Sequence, residues 1–182
     1  MLKTKLNKPI ATSKLIFRKD LFDKLENIKG KKLALVSAPA GYGKSTAISQ
    51  WIDKGCLQYA WYSLDKSDND INNFLRYTIA SIQSVYETIG TETIKMMESG
   101  SSPSFETIAT LIINDLYEIQ EHFYIIFDDY HLIENQQINQ FISFLLDNLP
   151  DNIQIVLITC SDTSIPLARL RSQQLVTDIR LF

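Results

Sequence analysis

The segment Ala38-Pro39-Ala40-Gly41-Tyr42-Gly43-Lys44-Ser45 constrains this chain more than any other. It follows a short apolar run, Leu33 to Ser37 (LALVS), typical of a strand buried on both faces. It precedes a stretch read as a helix from about Gly43 to Asp53. A strand, a glycine-rich turn and a helix in that order form a phosphate-binding loop of the Walker A pattern, here with alanine in place of the usual first glycine. Gly41 and Gly43 let backbone N–H groups turn toward phosphate oxygens, and the helix directs its positive end at the same place. On this reading Ala40, Gly41, Tyr42 and Gly43 line the phosphates. Lys44 reaches the β- and γ-phosphates, Ser45 ligates Mg²⁺ and Thr46 contacts the α-phosphate.

Two further apolar runs have the same buried-strand character, Phe123 to Phe127 (FYIIF) and Ile153 to Thr159 (IQIVLIT). An aromatic-rich strand is expected over Leu57 to Leu64 and a last one over Val176 to Leu181. Helices are expected over about Lys19–Ile28, Ile71 to Ile82, Ser104–Gln120, Gln136–Leu149 and Leu167–Gln174. Residues 1–16 read as an extended arm, with Pro9 opposing helix. Strands alternating with helices predict an α/β fold with a parallel sheet covered on both faces, in which ligands bind at the carboxyl ends of the strands.

The run FYIIF ends in Asp128-Asp129. An acid that follows a buried strand projects from the sheet end toward a bound metal, so Asp128 is expected to hold Mg²⁺ and Asp129 to act as base or water-positioning group. His131 reads as a structural, hydrogen-bonded histidine, and Arg169 and Arg171 as solvated helix charges. Asp65, Asp68 and Asp70 read as cap and turn residues, and Trp51, Trp61 and the tyrosines as core.

Composition removes several alternatives. A net charge of −3 gives no support to nucleic-acid binding. Two cysteines far apart, Cys56 and Cys160, make neither a disulfide framework nor a metal-ligand spacing, which fits a reducing cytoplasm. The basic N-terminus lacks the apolar stretch of a signal peptide, and no apolar run is long enough to span a bilayer. A GTPase would carry Asn-Lys-x-Asp late in the chain, whereas Asn7-Lys8 precedes the phosphate loop and lacks the Asp. A small-molecule kinase would want an arginine-rich lid, and no such cluster follows the loop.

The blocks at residues 37–51 (SAPAGYGKSTAISQW), 61–77, 125–133 (IIFDDYHLI) and 166–171 (PLARLR) together resemble the nucleotide-binding domain of the MalT-like, large ATP-dependent LuxR-type transcription regulators, which are STAND-class P-loop ATPases. The likeness covers nearly the whole chain and reaches Phe17-Arg18-Lys19, where Arg18 is similar to an arginine beside the adenine. It implies a three-layer P-loop NTPase sandwich with five parallel strands in the order 5-1-4-3-2. It also implies residues 1–30 as an arm and short helix next to the nucleotide, and residues 31–182 as the core. ATP or ADP with Mg²⁺ would be the ligand of a regulatory switch that oligomerises with same-family domains when ATP is bound. Sensor and helix-turn-helix domains would lie outside this chain, which then reads as a fragment that does not itself bind DNA. One departure matters. The family commonly ends its fourth strand in Thr-Arg or Ser-Arg, and here the pair is Thr159-Cys160. Slow turnover, or a module that binds ADP without hydrolysis, is the expectation that follows.

Overall fold

The computed structural model describes residues 1–10, 19–100 and 103–180, except the side chains of Lys19 and Asp20. Strands β1 (Leu33–Ser37), β2 (Gln58–Ser63), β3 (Phe123–Asp128), β4 (Ile153–Thr159) and β5 (Val176–Arg180) form one sheet in the order β2-β3-β4-β1-β5. Every pairing in it is parallel. Read from the other edge this is 5-1-4-3-2, the order that the family resemblance implied.

Because side chains alternate along a strand, each strand feeds two cores. Leu33 and Leu35 of β1, Phe123, Ile125 and Phe127 of β3, and Ile153, Ile155 and Leu157 of β4 face one side. There they meet α3 (Ile71–Gln83), α5 (Phe105–Leu116) and α6 (Gln136–Asn148) through Phe74, Ile79, Ile112, Phe141 and Leu145. Ala34 and Val36, Tyr124 and Ile126, and Val156 and Ile158 face the other side. They pack on α1 (Lys19–Glu26) and α2 (Lys44–Gly55) through Leu21, Leu25, Ile48, Trp51 and Ile52. The central strands β3 and β4 are buried along their whole length, which is why their sequences read as unbroken apolar runs.

Several expectations need correction. Residues 1–16 are not simply extended: Lys3–Leu6 form a 3-10 turn that packs against β2. The turn is held by Lys5, whose ammonium bridges Asp65 at 2.8 Å and Asp68 at 2.7 Å. A helix absent from the sequence reading, α4 (Thr91–Glu98), follows α3. It shows a weak signal because Gly90 opens it without a capping side chain, and Ile94 and Met97 are only partly buried. α5 stops at Leu116 rather than Gln120, and the helix before β5 is the short α7 (Ala168–Ser172). α2 runs two residues further than expected, to Gly55, and Cys56 caps it in the left-handed region at φ 48°. Trp51 and Trp61 are core, but Tyr42 and Tyr117 are exposed. Leu181 lies outside the described residues, as does the 11–18 stretch with Arg18.

The acids between β2 and α3 are caps, as expected, and Asp68 is more than that. Asp65 and Asp68 form a capping box around the 3-10 turn Lys66–Asn69, and Asp70 accepts from the Asn73 N–H at the start of α3. Asp68 is fully buried and also accepts from the Asn73 side chain at 2.8 Å. The Lys5 ammonium beside Asp65 holds that carboxyl down to about 2. Removing one partner of a buried ion pair strands the other charge away from water. Lys5→Met should therefore cost about 3 kcal/mol in urea unfolding at pH 7. Lys8→Met, which breaks a pair with the largely exposed Asp53, should cost less than about 1 kcal/mol.

Candidate functional site

Strand order decides where the chemistry gathers. β4 lies between β1 and β3, with Ser37 opposite Thr159, while Asp128 ends β3 one residue beyond its last β4 pairing, Phe127 with Leu157. The carboxyl ends of three strands thus open onto one edge of the sheet. The loop 38–43 leaves β1 there and turns into α2. Gly41 and Gly43 stand at φ 81° and 70°, in the left-handed region that glycine enters without strain. An added Cβ would meet nothing within 4 Å at either residue, so backbone conformation, not crowding, selects glycine.

Gly43 occupies the N-cap of α2 and supplies no capping side chain. The first-turn N–H groups of an α-helix have no partner within the helix, so those of Lys44, Ser45 and Thr46 face outward at its positive end. The Lys44 side chain is buried and folds back over the loop. Its ammonium donates to the Ala38 carbonyl at 2.8 Å, the Pro39 carbonyl at 3.1 Å and the Cys160 Sγ at 3.2 Å. Ser45 and Thr46 are half-buried, and Ala40, Gly41, Tyr42 and Gly43 are exposed around the mouth.

Across the mouth, the Ser45 hydroxyl donates to Asp128 Oδ1 at 2.7 Å. The same oxygen accepts from the Asp129 N–H at 3.0 Å. Burial pushes the Asp128 carboxyl up to about 6; the Ser45 hydrogen bond opposes that shift and the neighbouring Asp129 charge adds to it. A hydroxyl and a buried carboxylate side by side are hard oxygen donors, the kind that Mg²⁺ takes, and a cation there would offset the cost of the buried charge. The residues present therefore fit that ion.

Asp129 leaves the strand in the left-handed region, at φ 59°, and is half-exposed. It caps a 3-10 turn, Tyr130–Leu132, that carries His131. The turn is anchored by groups that the sequence reading passed over. The Tyr130 hydroxyl donates to Asn139 of α6 at 2.8 Å, in a buried position. Asn69, beyond β2, donates to the Leu132 carbonyl and accepts from the N–H groups of Glu134 and Asn135. The signal existed, because an Asn in a polar turn before a helix is a standard local capping residue, but its partners lie more than 60 residues away. His131, expected to be a hydrogen-bonded structural residue, has a buried Nδ1 with no hydrogen-bond partner among the described residues. Arg169 and Arg171 are exposed and pair with Asp147 and Asp178, in keeping with solvated helix charges. Arg18 lies outside the described residues.

No protein-family model matches the chain. It does align with curated relatives: 31% identity over 179 residues, 98% of the chain, with the HTH-type transcriptional regulator MalT of Klebsiella pneumoniae and with that of Cronobacter sakazakii. This is a MalT-like P-loop domain. It spans only 20% of the length of those relatives. In structure, the MalT-like domain is similar to a signal transduction ATPase with numerous domains and a tetratricopeptide repeat sensor from Pyrococcus horikoshii, with a TM-score of 0.64 at 15% identity over 96% of this chain and 24% of the other. It is also similar to a Walker-type ATPase of Pyrococcus abyssi, with a TM-score of 0.53 at 15% identity over 96% and 56%. At such identities the likeness establishes the fold, the P-loop NTPase α/β sandwich. Among the described residues no helix is long and apolar enough to cross a membrane.

The raised Asp128 pKa has a measurable consequence in the MalT-like domain without Mg²⁺. A carboxyl that holds its proton more tightly when folded makes the folded chain bind more protons between about pH 4 and 6. Its contribution to stability is present at low pH and is lost as pH rises through about 6. Asp128→Asn keeps the oxygen that accepts from Ser45 and Asp129 and removes the buried charge. In urea unfolding with chelator present, the variant should exceed the parent by about 1–3 kcal/mol at pH 7.5, and the difference should vanish near pH 4.

Proposed function

We propose that this domain binds ATP or ADP with Mg²⁺ and serves as the regulatory nucleotide switch of a LuxR-type transcription regulator. One observation carries the reading: a buried lysine, a hydroxyl–carboxylate pair and an uncapped helix start converge at the carboxyl ends of β1, β4 and β3. Each group then has a task. The N–H groups of Gly41, Gly43, Lys44, Ser45 and Thr46 orient the phosphates, with Ala40 and Tyr42 completing the mouth. Lys44 already lies over the loop and needs only to exchange carbonyl partners for phosphate oxygens. Mg²⁺, when bound by Ser45 and Asp128, neutralises charge on the phosphates. Asp129 orients a water and accepts its proton.

The similarity to MalT supports adenine as the base and Arg18 as a contact for it. It also supports residues 1–30 as an arm and helix beside the nucleotide and 31–182 as the core. ATP-driven association with same-family domains, a cytoplasmic setting and DNA binding by a different part of a longer protein complete the proposal. Cys160 sets its limit. Phosphoryl transfer needs positive charge where negative charge develops on the γ-phosphate, and a thiol beside Lys44 supplies none. Turnover is therefore slow or absent, while binding is intact.

Calorimetry tests binding. Lys44→Ala should weaken ADP and ATP affinity by about tenfold or more, because no neutral group replaces a charge-assisted bond to phosphate. Unchanged affinity would overturn the reading. Single-turnover hydrolysis tests the limit. The parent should run near background, and Cys160→Arg should raise the rate or the preference for ATP over ADP. Brisk hydrolysis by the parent, abolished by Asp129→Asn, would make this domain an ATPase in its own right.

A further inference from the structure

Beside the oxygen pair of Ser45 and Asp128 stands a second group of donors with a different chemistry. Asp129, His131 and Cys160 each present one ligand atom, and these atoms all lie within 4.8 Å of one another. Two come from the turn after β3 and one from the end of β4, so the cluster closes the gap between adjacent strand ends. We propose that Asp129, His131 and Cys160 form a binding site for a borderline-soft divalent transition ion, of which Zn²⁺ is the biological example.

Three observations carry this assignment. The donor set is sulfur, imidazole nitrogen and carboxylate oxygen, the combination that Zn²⁺ and Co²⁺ prefer and that Mg²⁺ does not. The His131 Nδ1 is buried and has no hydrogen-bond partner among the described residues, yet it faces Asp129 Oδ1 at 4.0 Å. That distance is too long for a hydrogen bond. It suits two ligands on one ion, since bonds of about 2.0–2.3 Å allow ligand separations of roughly 3.3–4 Å. The third observation is charge. A thiolate and a carboxylate neutralise a divalent ion, so the complex does not repel the Lys44 ammonium 3.2 Å from Cys160 Sγ. Closing the three donors on one ion takes movements of about 1 Å, within reach of side chains that are only half-buried. Three protein ligands leave a fourth position for water or an exogenous ligand. The ion would occupy the carboxylate that the hydrolytic role needs, so metal loading and water activation by Asp129 would exclude each other.

The test is a titration of nucleotide-free protein with Co²⁺ alone, which separates it from any failure of the phosphate site. The expected spectrum has a sulfur-to-cobalt charge-transfer band and intense visible bands of tetrahedral Co²⁺, saturating at one ion per chain. Zn²⁺ should bleach it and excess Mg²⁺ should not. The band should persist in Cys56→Ser and vanish in Cys160→Ser, which retains the exposed Cys56. His131→Ala should weaken Co²⁺ binding by about tenfold or more, judging from the cost of disturbing even a supporting group at a metal site. Absence of the band, a band that follows Cys56, or full affinity in His131→Ala would overturn the assignment.

Discussion

Burial of the sheet on both faces is the constraint on which the remaining structure depends. A parallel sheet cannot leave a face in water, so helices must return over both sides, and each crossover starts strands from the same end. All carboxyl ends therefore collect at one edge, where the backbone is free to carry side chains that a buried strand could not. The two cores need not be equal. The α3–α5–α6 side is the larger, and the α1–α2 side is thinner and built around Trp51, Trp61 and Tyr124. The phosphate loop stands on the thinner side, at the start of α2.

Much of this was legible because burial writes directly into sequence. LALVS, FYIIF and IQIVLIT are strands for the same reason that they are apolar throughout, and their ends fall within a residue of the expectation. The phosphate loop and the acid pair were legible because their chemistry is local: the residues that act are neighbours in the chain. The order of the strands was not written locally, and came from the likeness of four blocks to a family. What escaped were contacts between distant segments. Asn69 looks like any turn asparagine until its three partners beyond β3 are seen. Lys5 looks like a solvated charge until Asp68 is found without access to water. α4 escaped for the opposite reason, because its few partly buried residues leave little periodicity to read.

The Asn69 bonds also tie two loops together. The segment after β2 and the turn after β3 share one asparagine, so the position of Asp129 and His131 is set partly from the neighbouring strand. Tyr130 adds a buried tie to α6. A left-handed residue at Asp129 costs conformational energy, and these ties hold it in place. The turn is thus over-determined at its base, while the side chains of Asp129 and His131 remain only half-buried.

The N-terminal turn has a consequence for how the protein behaves among other copies of itself. β2 ends the sheet, and its residues Tyr59, Trp61 and Tyr62 are the kind that readily extend a ladder. An uncovered edge of that composition is a template for a passing strand from another chain. Residues 3–6 lie against that strand, fastened by Lys5 to Asp68 and by the Leu2 N–H to the Tyr77 hydroxyl. Lys8 and the Pro9 carbonyl continue the hold onto Ser49 of α2. The short arm is therefore a guard on colloidal behaviour: a chain trimmed at its start would strand the buried Asp68 and would carry an adhesive edge into every encounter.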